Sequence, residues 1–151
     1  MELMAFWRFI AEFDQAYDFH RKKVMKKYGL TAMEVDVLLF IANNPALNTS
    51  ADIVRFRKIA KSHVSLAVNA LSKKGYIRKY SDDSNRKRIR LEPTVEAEEV
   101  IAYGRAEQAE FAAVINHGTT EEDRKQFRQY MLQISRNLQE EYKMKEKSDR
   151  G

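Results

Sequence analysis

Apolar residues recur at intervals of three and four along both ends of the chain, which is the spacing of one face of an α-helix. The first stripe spans about residues 2–27 and is rich in aromatic side chains: Leu3, Phe6, Trp7, Ile10, Phe13, Tyr17 and Val24. The last stripe follows Thr119 and comprises Phe127, Tyr130, Met131, Ile134, Leu138 and Tyr142. The pattern predicts a mainly α protein with a long amphipathic helix at each end.

Shorter helices are predicted between these ends. Gly29 ends the first helix, and residues 31–41 are apolar almost all round, as in a central buried helix. Asn43-Asn44-Pro45 closes that helix, because proline disfavours the helical conformation of the residue before it. A third helix is predicted over about residues 51–58, with a cap at Asn48, Thr49 or Ser50. Its inward residues are predicted to be Ile53, Val54 and Phe56.

The segment 62–74 is predicted to be a helix with one apolar and one small polar face. Val64, Val68 and Leu71 stand at i, i+4 and i+7 and therefore share the inward face. Ser62 is predicted to cap its beginning, and Gly75 suits the position just after its end. The outward positions are Ser62, His63, Ser65, Leu66, Asn69 and Lys73.

Two short strands are predicted after Gly75. Residues 76–80 and 87–91 alternate roughly as strands do, and residues 81–86 form the turn between them. Two helices joined by a tight turn and followed by a hairpin make a winged helix-turn-helix. Pro93 and Thr94 are predicted to open another long helix, in which Gly104 allows a bend, and a capping box of Thr119 with Glu122 to open the last one.

Positive charge is concentrated in the predicted winged helix. The 151-residue chain has a net charge of +5, yet residues 53–91 hold twelve Lys or Arg against two acidic residues, a local charge of +10. The rest of the chain is therefore at −5. Solvated surface is the ordinary explanation of a charge run. Here the excess coincides with the polar helix face and the hairpin, which indicates a polyanionic partner.

Other functions find no support in the sequence. There is no cysteine, and His20, His63 and His117 lie far apart, so we predict neither a cofactor nor a metal site. No glycine-rich phosphate loop or nucleophile–base motif is present, so we predict no enzyme activity. No apolar run approaches the ~20 residues of a membrane span, and the N-terminus lacks the basic start of a signal peptide. We expect a cytoplasmic protein without a membrane partner.

Three segments together resemble the MarR family of bacterial transcription regulators, and the resemblance covers nearly the whole chain. They are Tyr28-Gly29-Leu30-Thr31, Leu71-Ser72-Lys73-Lys74-Gly75-Tyr76-Ile77, and the segment from Asp82 to Thr94. The resemblance implies one chain, 1–151, with dimerisation helices at 1–28 and 94–147 around a DNA-binding lobe at 30–93. The apolar stripes along the first and last helices, with the basic module between them, favour a second copy of the chain as their partner. Such a symmetric homodimer would present two copies of the helix at 62–74, matched to half-sites roughly 34 Å apart.

The resemblance assigns DNA contacts to the helix at 62–74, the reading helix, and to the hairpin at 76–91, the wing. Major-groove contacts map onto Ser62, His63, Ser65, Leu66 and Asn69, where Asn69 can pair bidentately with adenine. Lys61 and Lys73 map onto phosphate contacts, and Arg86 maps onto insertion into the minor groove. Lys87 and Arg88 follow Arg86 and alternate in direction, so one of them faces back toward the protein or the DNA backbone. The family usually has aspartate in place of Asn85, where it would brace the wing by pairing with a basic neighbour; Asn85 can only hydrogen-bond.

The resemblance also implies a small aromatic or anionic effector, with Trp7, Phe13 and Tyr17 as candidate pocket residues. The same side chains serve equally well as dimer core, and the flanking helices could instead pack on one another within a monomer. The expected function is a repressor released by its effector. The alternative is a winged-helix architectural or protein-interaction module with nonspecific nucleic-acid binding. The operator, the regulated genes and the sign of regulation are not encoded in any motif.

Overall fold

A computed structural model describes residues 2–82 and 85–148. Within them, the chain forms six α-helices, a 3₁₀ turn and one antiparallel pair of strands. In chain order these are α1 (Leu3–Tyr28), α2 (Ala32–Asn43), α3 (Ser50–Arg57), α4 (Lys61–Lys73), β1 (Ile77–Asp82), β2 (Asn85–Pro93), the 3₁₀ turn (Val95–Ala97), α5 (Glu98–Ile115) and α6 (Glu121–Ser148). The predicted mainly α, winged helix-turn-helix fold with long flanking helices is confirmed. The chain divides into two compact units, Met1–Ala112 and Ala113–Gly151.

Helix α2 lies at the centre of the first unit, as its apolar sequence predicts. It contacts α1, α4 and β2, and its buried apolar residues are Val35, Val37, Leu38, Leu39 and Ile41. Thr31 caps its start in a capping box with Glu34. Because α2 is buried on all sides, it supports α4 and the hairpin that pack against it.

Helices α3 and α4 form the helix-turn-helix. Thr49, one of the three predicted caps, forms a capping box with Asp52. The predicted cap at Ser62 is wrong: α4 begins one residue earlier, and Ala60 precedes it without any side-chain cap. The backbone carbonyl of Ala60 accepts hydrogen bonds from His63 and Val64 instead, so Ser62 lies inside the helix.

Burial on these two helices follows the predicted pattern with one exception. Val64, Val68 and Leu71 of α4 are buried, as is Ile53 of α3. Phe56 was predicted to face inward, but its side chain is 51% exposed and lies beneath the guanidinium of Arg55. The short helix α3 has room to bury only one side of its surface against α4, and Ile53 occupies that side.

The hairpin is longer than the alternation of residues predicts. Strand pairing runs from Ile77 opposite Pro93 to Asp82 opposite Asn85, with an irregularity between Ser81 and Asp82. Residues 81–86 were predicted to be turn, and the strands extend into that segment from both sides. Polar side chains there alternate without apolar partners, so the hydrophobic pattern carries no strand signal. The predicted turn residues Asp83 and Ser84 lie outside the described part.

Gly104 serves close packing in α5, and the helix continues through it. A Cβ at this position would lie 2.7 and 2.9 Å from the two terminal carbons of Leu39, so only glycine lets α5 approach α2 this closely. The expected cap at Thr94 is also revised. The Thr94 hydroxyl donates to the backbone carbonyl of Gly75, and a 3₁₀ turn precedes α5.

The second unit contains α6. The predicted capping box is wrong by one residue: Thr120 pairs with Asp123, and the backbone amide of Asp123 donates to the Thr120 hydroxyl at 3.1 Å. The expected apolar stripe is present but open, and its exposed members include Phe127, Tyr130, Met131, Leu138 and Tyr142.

Candidate nucleic-acid interface

The outward face of α4 is small, polar and exposed, as the sequence predicts. Burial of the opposite face fixes its orientation, because Val64, Ala67 and Leu71 contact the core. Leu66 is 68% exposed and is an apolar side chain on this otherwise polar face. The predicted contact residues on α4 are all exposed: Lys61, Ser62, His63, Ser65, Leu66, Asn69 and Lys73. They form one surface, which we call the α4 face.

The hairpin joins the α4 face through Lys79. The Lys79 ammonium donates to Oδ1 of Asn69 at 2.6 Å. Sequence reasoning missed Lys79, although a signal was present. Alternate residues of a strand share a face, and Ile77 is buried, so Lys79 two residues later points to the same side. The contact adds a cation from β1 to the polar surface of α4.

An ion pair braces the hairpin near its turn. Arg90 Nε and Nη2 each lie 2.8 Å from Oδ2 of Asp82. The same guanidinium donates through Nη1 to Oδ1 of Asn48, also at 2.8 Å. The backbone amide of Leu91 donates to the carbonyl of Asn48. These bonds fasten β2 to the loop between α2 and α3.

This ion pair matters because the chain has Asn85 where the family resembled usually has an aspartate. The carboxylate expected there is missing, and Asp82 supplies the ion pair from the other strand. Asn85 instead accepts a hydrogen bond through Oδ1 from the backbone amide of Lys87 at 3.1 Å, a local turn that asparagine favours. The wing therefore has a charged brace without an aspartate at position 85.

The predicted wing residues have different surroundings. Arg86 belongs to β2, and its side chain lies outside the described part. Lys87 is exposed. Arg88 Nη2 lies 4.0 Å from Oδ2 of Asp52, so this side chain turns toward α3. That orientation agrees with the alternation of adjacent strand residues.

Cations on the α4 face lack the carboxylate partners that their neighbours have. Lys74 pairs with Glu34 at 2.8 Å, and the guanidinium of Arg78 donates to Glu92. Among the residues that the structure describes, Lys61 and Lys73 form no ion pair within 4 Å, so their charge is available to an anion. The basic surface is therefore most open at the two ends of α4.

A buried ion-pair network ties this lobe to α1. Asp36 of α2 is 6% exposed and lies 2.8 Å from Arg21 Nη1 and 3.4 Å from Arg57 Nη2. Hydrogen bonds from Lys22 and Arg21 lower the pKa of Asp18, which also binds the guanidinium of Arg21. The network fixes the end of α3 relative to α1, and the buried carboxylate of Asp36 is paired from both helices.

The candidate effector residues are spread along α1. Trp7 is exposed and contacts Phe6, whereas Phe13 and Tyr17 both contact Phe111 of α5 with ring centroids 5.0 and 5.4 Å apart. The cavity beside Tyr17 has a volume of about 10 Å³, room for one water molecule. A larger groove of about 330 Å³ lies between the C-terminal end of α2 and the start of α5. Of these two cavities, only the smaller is lined by one of the three residues, Tyr17.

His20 is close to two carboxylates that the sequence separates from it. Its Nδ1 lies 2.8 Å from Glu107 Oε2, and Glu110 is nearby. The ammonium of Lys23 already sits between the carboxylates, 2.9 Å from Glu107 and 3.5 Å from Glu110. Burial would raise the pKa of Glu107, but hydrogen bonds from His20 and Lys23 hold it below the usual value. The cluster therefore has its own cation and joins α1 to α5.

These features define a winged helix-turn-helix protein with an exposed basic surface, and the comparisons show which family it is similar to. Residues 28–88 match the sequence model of the MarR family. That stretch runs from the end of α1 into β2 and includes the whole α4 face. No curated protein sequence matches the chain. The resemblance predicted from the sequence is thus confirmed over residues 28–88, which hold the first two of its three segments and the beginning of the third.

Solved structures of similar fold extend the match beyond this segment. A protein from Listeria monocytogenes, described as a MarR family transcriptional regulator and complexed with 26mer DNA, is 23% identical, covers 87% of each chain and has a TM-score of 0.77. The transcriptional regulator SlyA is 21% identical over 95% of this chain and 99% of its own, with a TM-score of 0.76. MepR of S. aureus, in a DNA complex, is 16% identical over 88% and 94%, with a TM-score of 0.72. The chain has the MarR fold.

No helix in the described residues combines the length and the apolar character that crossing a membrane requires.

Proposed function

We propose that this chain is a sequence-specific DNA-binding transcription regulator that acts as a homodimer on a pseudo-palindromic operator. The observation that carries the proposal is the α4 face, which is exposed, polar and flanked by the unpaired lysines of the described helix, Lys61 and Lys73. One such face would enter each major groove, with the wing in the adjoining minor groove. The proposed division is a DNA-binding lobe at 30–93 between dimerisation helices at 1–28 and 94–147.

The α4 face divides into contacts that read bases and contacts that hold phosphates. Ser62, His63 and Ser65 stand near the helix N-terminus, where a helix enters the groove and where its dipole favours an anion. Leu66 offers apolar contact to a thymine methyl group, and Asn69 offers hydrogen bonds. Lys61 and Lys73 at the helix ends suit phosphates, which add affinity but carry no sequence information.

The wing supplies the second set of contacts. The Asp82–Arg90–Asn48 bonds join its two strands to each other and to the loop before α3, which supports the proposal that the strands present Arg86 and Lys87. Arg86 is proposed to enter the minor groove, where negative potential is strongest. Arg88, which turns toward Asp52, is proposed to reach the DNA backbone at the edge of the same surface.

A homodimer is supported by apolar surface that the single chain leaves open. Exposed apolar residues line α6 and, separately, the first half of α1, among them Leu3, Trp7, Phe127, Tyr130, Leu138 and Tyr142. Soluble monomers rarely expose large apolar areas unless a partner covers them. Truncation after Ile134 is expected to abolish dimerisation in sedimentation velocity, and a stable dimer of the truncated chain would contradict this role for α6.

Repression that a small aromatic or anionic effector releases is the proposed mode of regulation. Trp7 is exposed on α1 while Phe13 and Tyr17 contact Phe111, so an effector site made by these residues would have to be completed by the second subunit. The dimer interface would then serve both assembly and sensing.

The test is selection of bound duplexes from a random library, followed by anisotropy titration at several salt concentrations. We expect an inverted repeat, two chains per site, and a specific site bound about a thousandfold or more tighter than random duplex. Affinity should fall steeply with salt, because bound phosphates release counterions. Salt-sensitive binding without an enriched motif would favour the architectural alternative. Absence of binding would contradict both proposals.

Paired arginine variants test the wing. Arg86→Ala is expected to weaken operator binding strongly with the fold and the dimer intact. Arg78→Ala is the matched control, because it removes the same charge from the same hairpin, where Arg78 already pairs with Glu92. Equal losses would mean that the hairpin acts only through its total charge and that Arg86 has no special place in the minor groove.

A further inference from the structure

The orientation of Asn69 at the centre of the α4 face is determined by its contact with Lys79. The ammonium of Lys79 lies 2.6 Å from the side-chain oxygen of Asn69. Lysine only donates hydrogen bonds, so the amide must turn its oxygen toward β1. The NH₂ group of Asn69 then points away from the strand. An unconstrained asparagine, by contrast, can present either end of its amide to a base.

Lys79 itself is held in place by the hairpin. It lies in the middle of β1, opposite Leu91 in the strand register. Leu91 and Ile77 are both 2% exposed, so the face of the hairpin that carries Lys79 is anchored in the core. Docking on DNA would exclude water from this contact, and a charge-assisted hydrogen bond strengthens as the local dielectric constant falls.

We propose that Asn69 and Lys79 form a purely donating pair that reads guanine in the major groove. The proposal rests on the proposed DNA-binding function and deepens it. Guanine presents two acceptors in the major groove, N7 and O6, whereas adenine presents N7 beside an amino group. The usual bidentate pairing of asparagine with adenine needs the amide oxygen to accept from that amino group.

In this surface the oxygen of Asn69 already accepts from an ammonium. The amide oxygen has two acceptor positions, and the ammonium occupies one of them. The adenine amino group would have to donate to the other position beside that ammonium, where repulsion between the two positive donors disfavours the pairing. The pairing of Asn69 with adenine, expected from the sequence, is therefore replaced by guanine recognition. Lys79 becomes a residue that determines specificity through the orientation of Asn69.

The experiment is parallel selection from one random duplex library with the full-length wild type, Lys79→Met, Asn69→Ala and the double variant. Lys79→Met keeps the length of the side chain and removes its donors. Lys73→Met is the matched control, since it removes an exposed lysine of the same α4 face that has no ion pair in the described structure. Circular dichroism checks that each variant is folded.

We expect the wild type to enrich guanine at one position of each half-site, with about tenfold or greater discrimination against adenine, as one good base contact provides. Lys79→Met should lose that preference or turn it toward adenine, Asn69→Ala should lose it, and the double variant should match Asn69→Ala. Lys73→Met should keep the wild-type motif and bind all duplexes more weakly.

Two outcomes would overturn the inference in distinguishable ways. If Lys79→Met selects the wild-type motif with only a uniform loss of affinity, Lys79 is a phosphate contact and the donating pair is refuted, while the DNA-binding function stands. If the wild type enriches no motif at all, the proposed function fails and this inference fails with it.

Discussion

Helices α2 and α6 both carry many apolar residues, but the single chain covers only one of them. In α2, seven of twelve residues are buried, including charged Glu34 and Asp36. In the described side chains of α6, none is buried, although Leu138, Tyr142 and their neighbours repeat at helical spacing. Amphipathic spacing thus predicts that a face will be covered and leaves open whether the same chain covers it.

The largest difference between the two helices should appear on truncation of one leucine in each. Leu38 is fully buried, so Leu38→Ala is expected to lower the free energy of unfolding by about 2–5 kcal/mol, through lost transfer energy and the cavity left behind. Leu138→Ala, in a side chain that is 50% exposed, should leave the unfolding of the monomer almost unchanged. Denaturant titration at low protein concentration measures both. Equal losses would remove the distinction between a closed core and an open stripe.

A second effect concerns how closely α5 can approach α2. Gly104→Val is expected to lower the free energy of unfolding by about 1–3 kcal/mol, because a Cβ there would meet Leu39 at 2.7 Å and the core must then deform. The control is the double variant Gly104→Val/Leu39→Ala, in which the shortened side chain makes room. Its loss should be smaller than the sum of the two single losses. If the loss in the double variant equals the sum of the two single losses, the contact between position 104 and Leu39 is not the cause of the destabilisation.

The open stripe should show its role in association instead. Leu138→Ala is expected to raise the dissociation constant of the dimer about tenfold, which is the effect of truncating one of the minority of interface residues that carry most of the binding energy. Gln139→Ala is a suitable control, because its amide bonds only Ser135 within α6 in the described structure. Analytical ultracentrifugation over a concentration series measures the two constants. An unchanged constant for Leu138→Ala would exclude this part of α6 from the interface.

The same contrast explains what the sequence could predict. Helix number, the central α2, the inward residues of α4 and its polar face follow from periodicity, because burial within one chain leaves a repeating pattern. The contact of Lys79 with Asn69 and the brace from Asp82 through Arg90 to Asn48 do not, because they join polar residues 8 to 42 positions apart. Periodicity predicts which residues share a face of a helix or strand, but it does not predict which polar side chains from different elements contact each other.

Local competition between similar residues accounts for the misplaced caps. Ser62 is a good capping residue, yet α4 begins at Lys61, after Lys58 adopts a left-handed conformation with φ of 54° and Ala60 an extended one. Thr119 and Thr120 are equally suitable caps by type. Choice between them depends on the backbone before the helix, where Gly118 has φ of 72° and the Thr119 hydroxyl donates to Asn116.

The smallest expected effect tests that choice at the start of α6. Thr120→Ala removes the hydroxyl that accepts from the Asp123 amide and should cost about 1 kcal/mol of local stability, seen as roughly fivefold faster hydrogen exchange at that amide. Thr119→Ala, the control, should change the exchange less.

Hydrogen bonds from Thr120 lower the pKa of Asp123 below its ordinary 3.8, so Thr120→Ala should let that pKa rise toward 3.8 in an NMR titration. Because the folded pKa is the lower one, the stabilisation is present above pH 3.8 and is lost as the pH falls through the folded value. Faster exchange in Thr119→Ala than in Thr120→Ala would contradict the cap at Thr120 and support the cap at Thr119 that the sequence predicts.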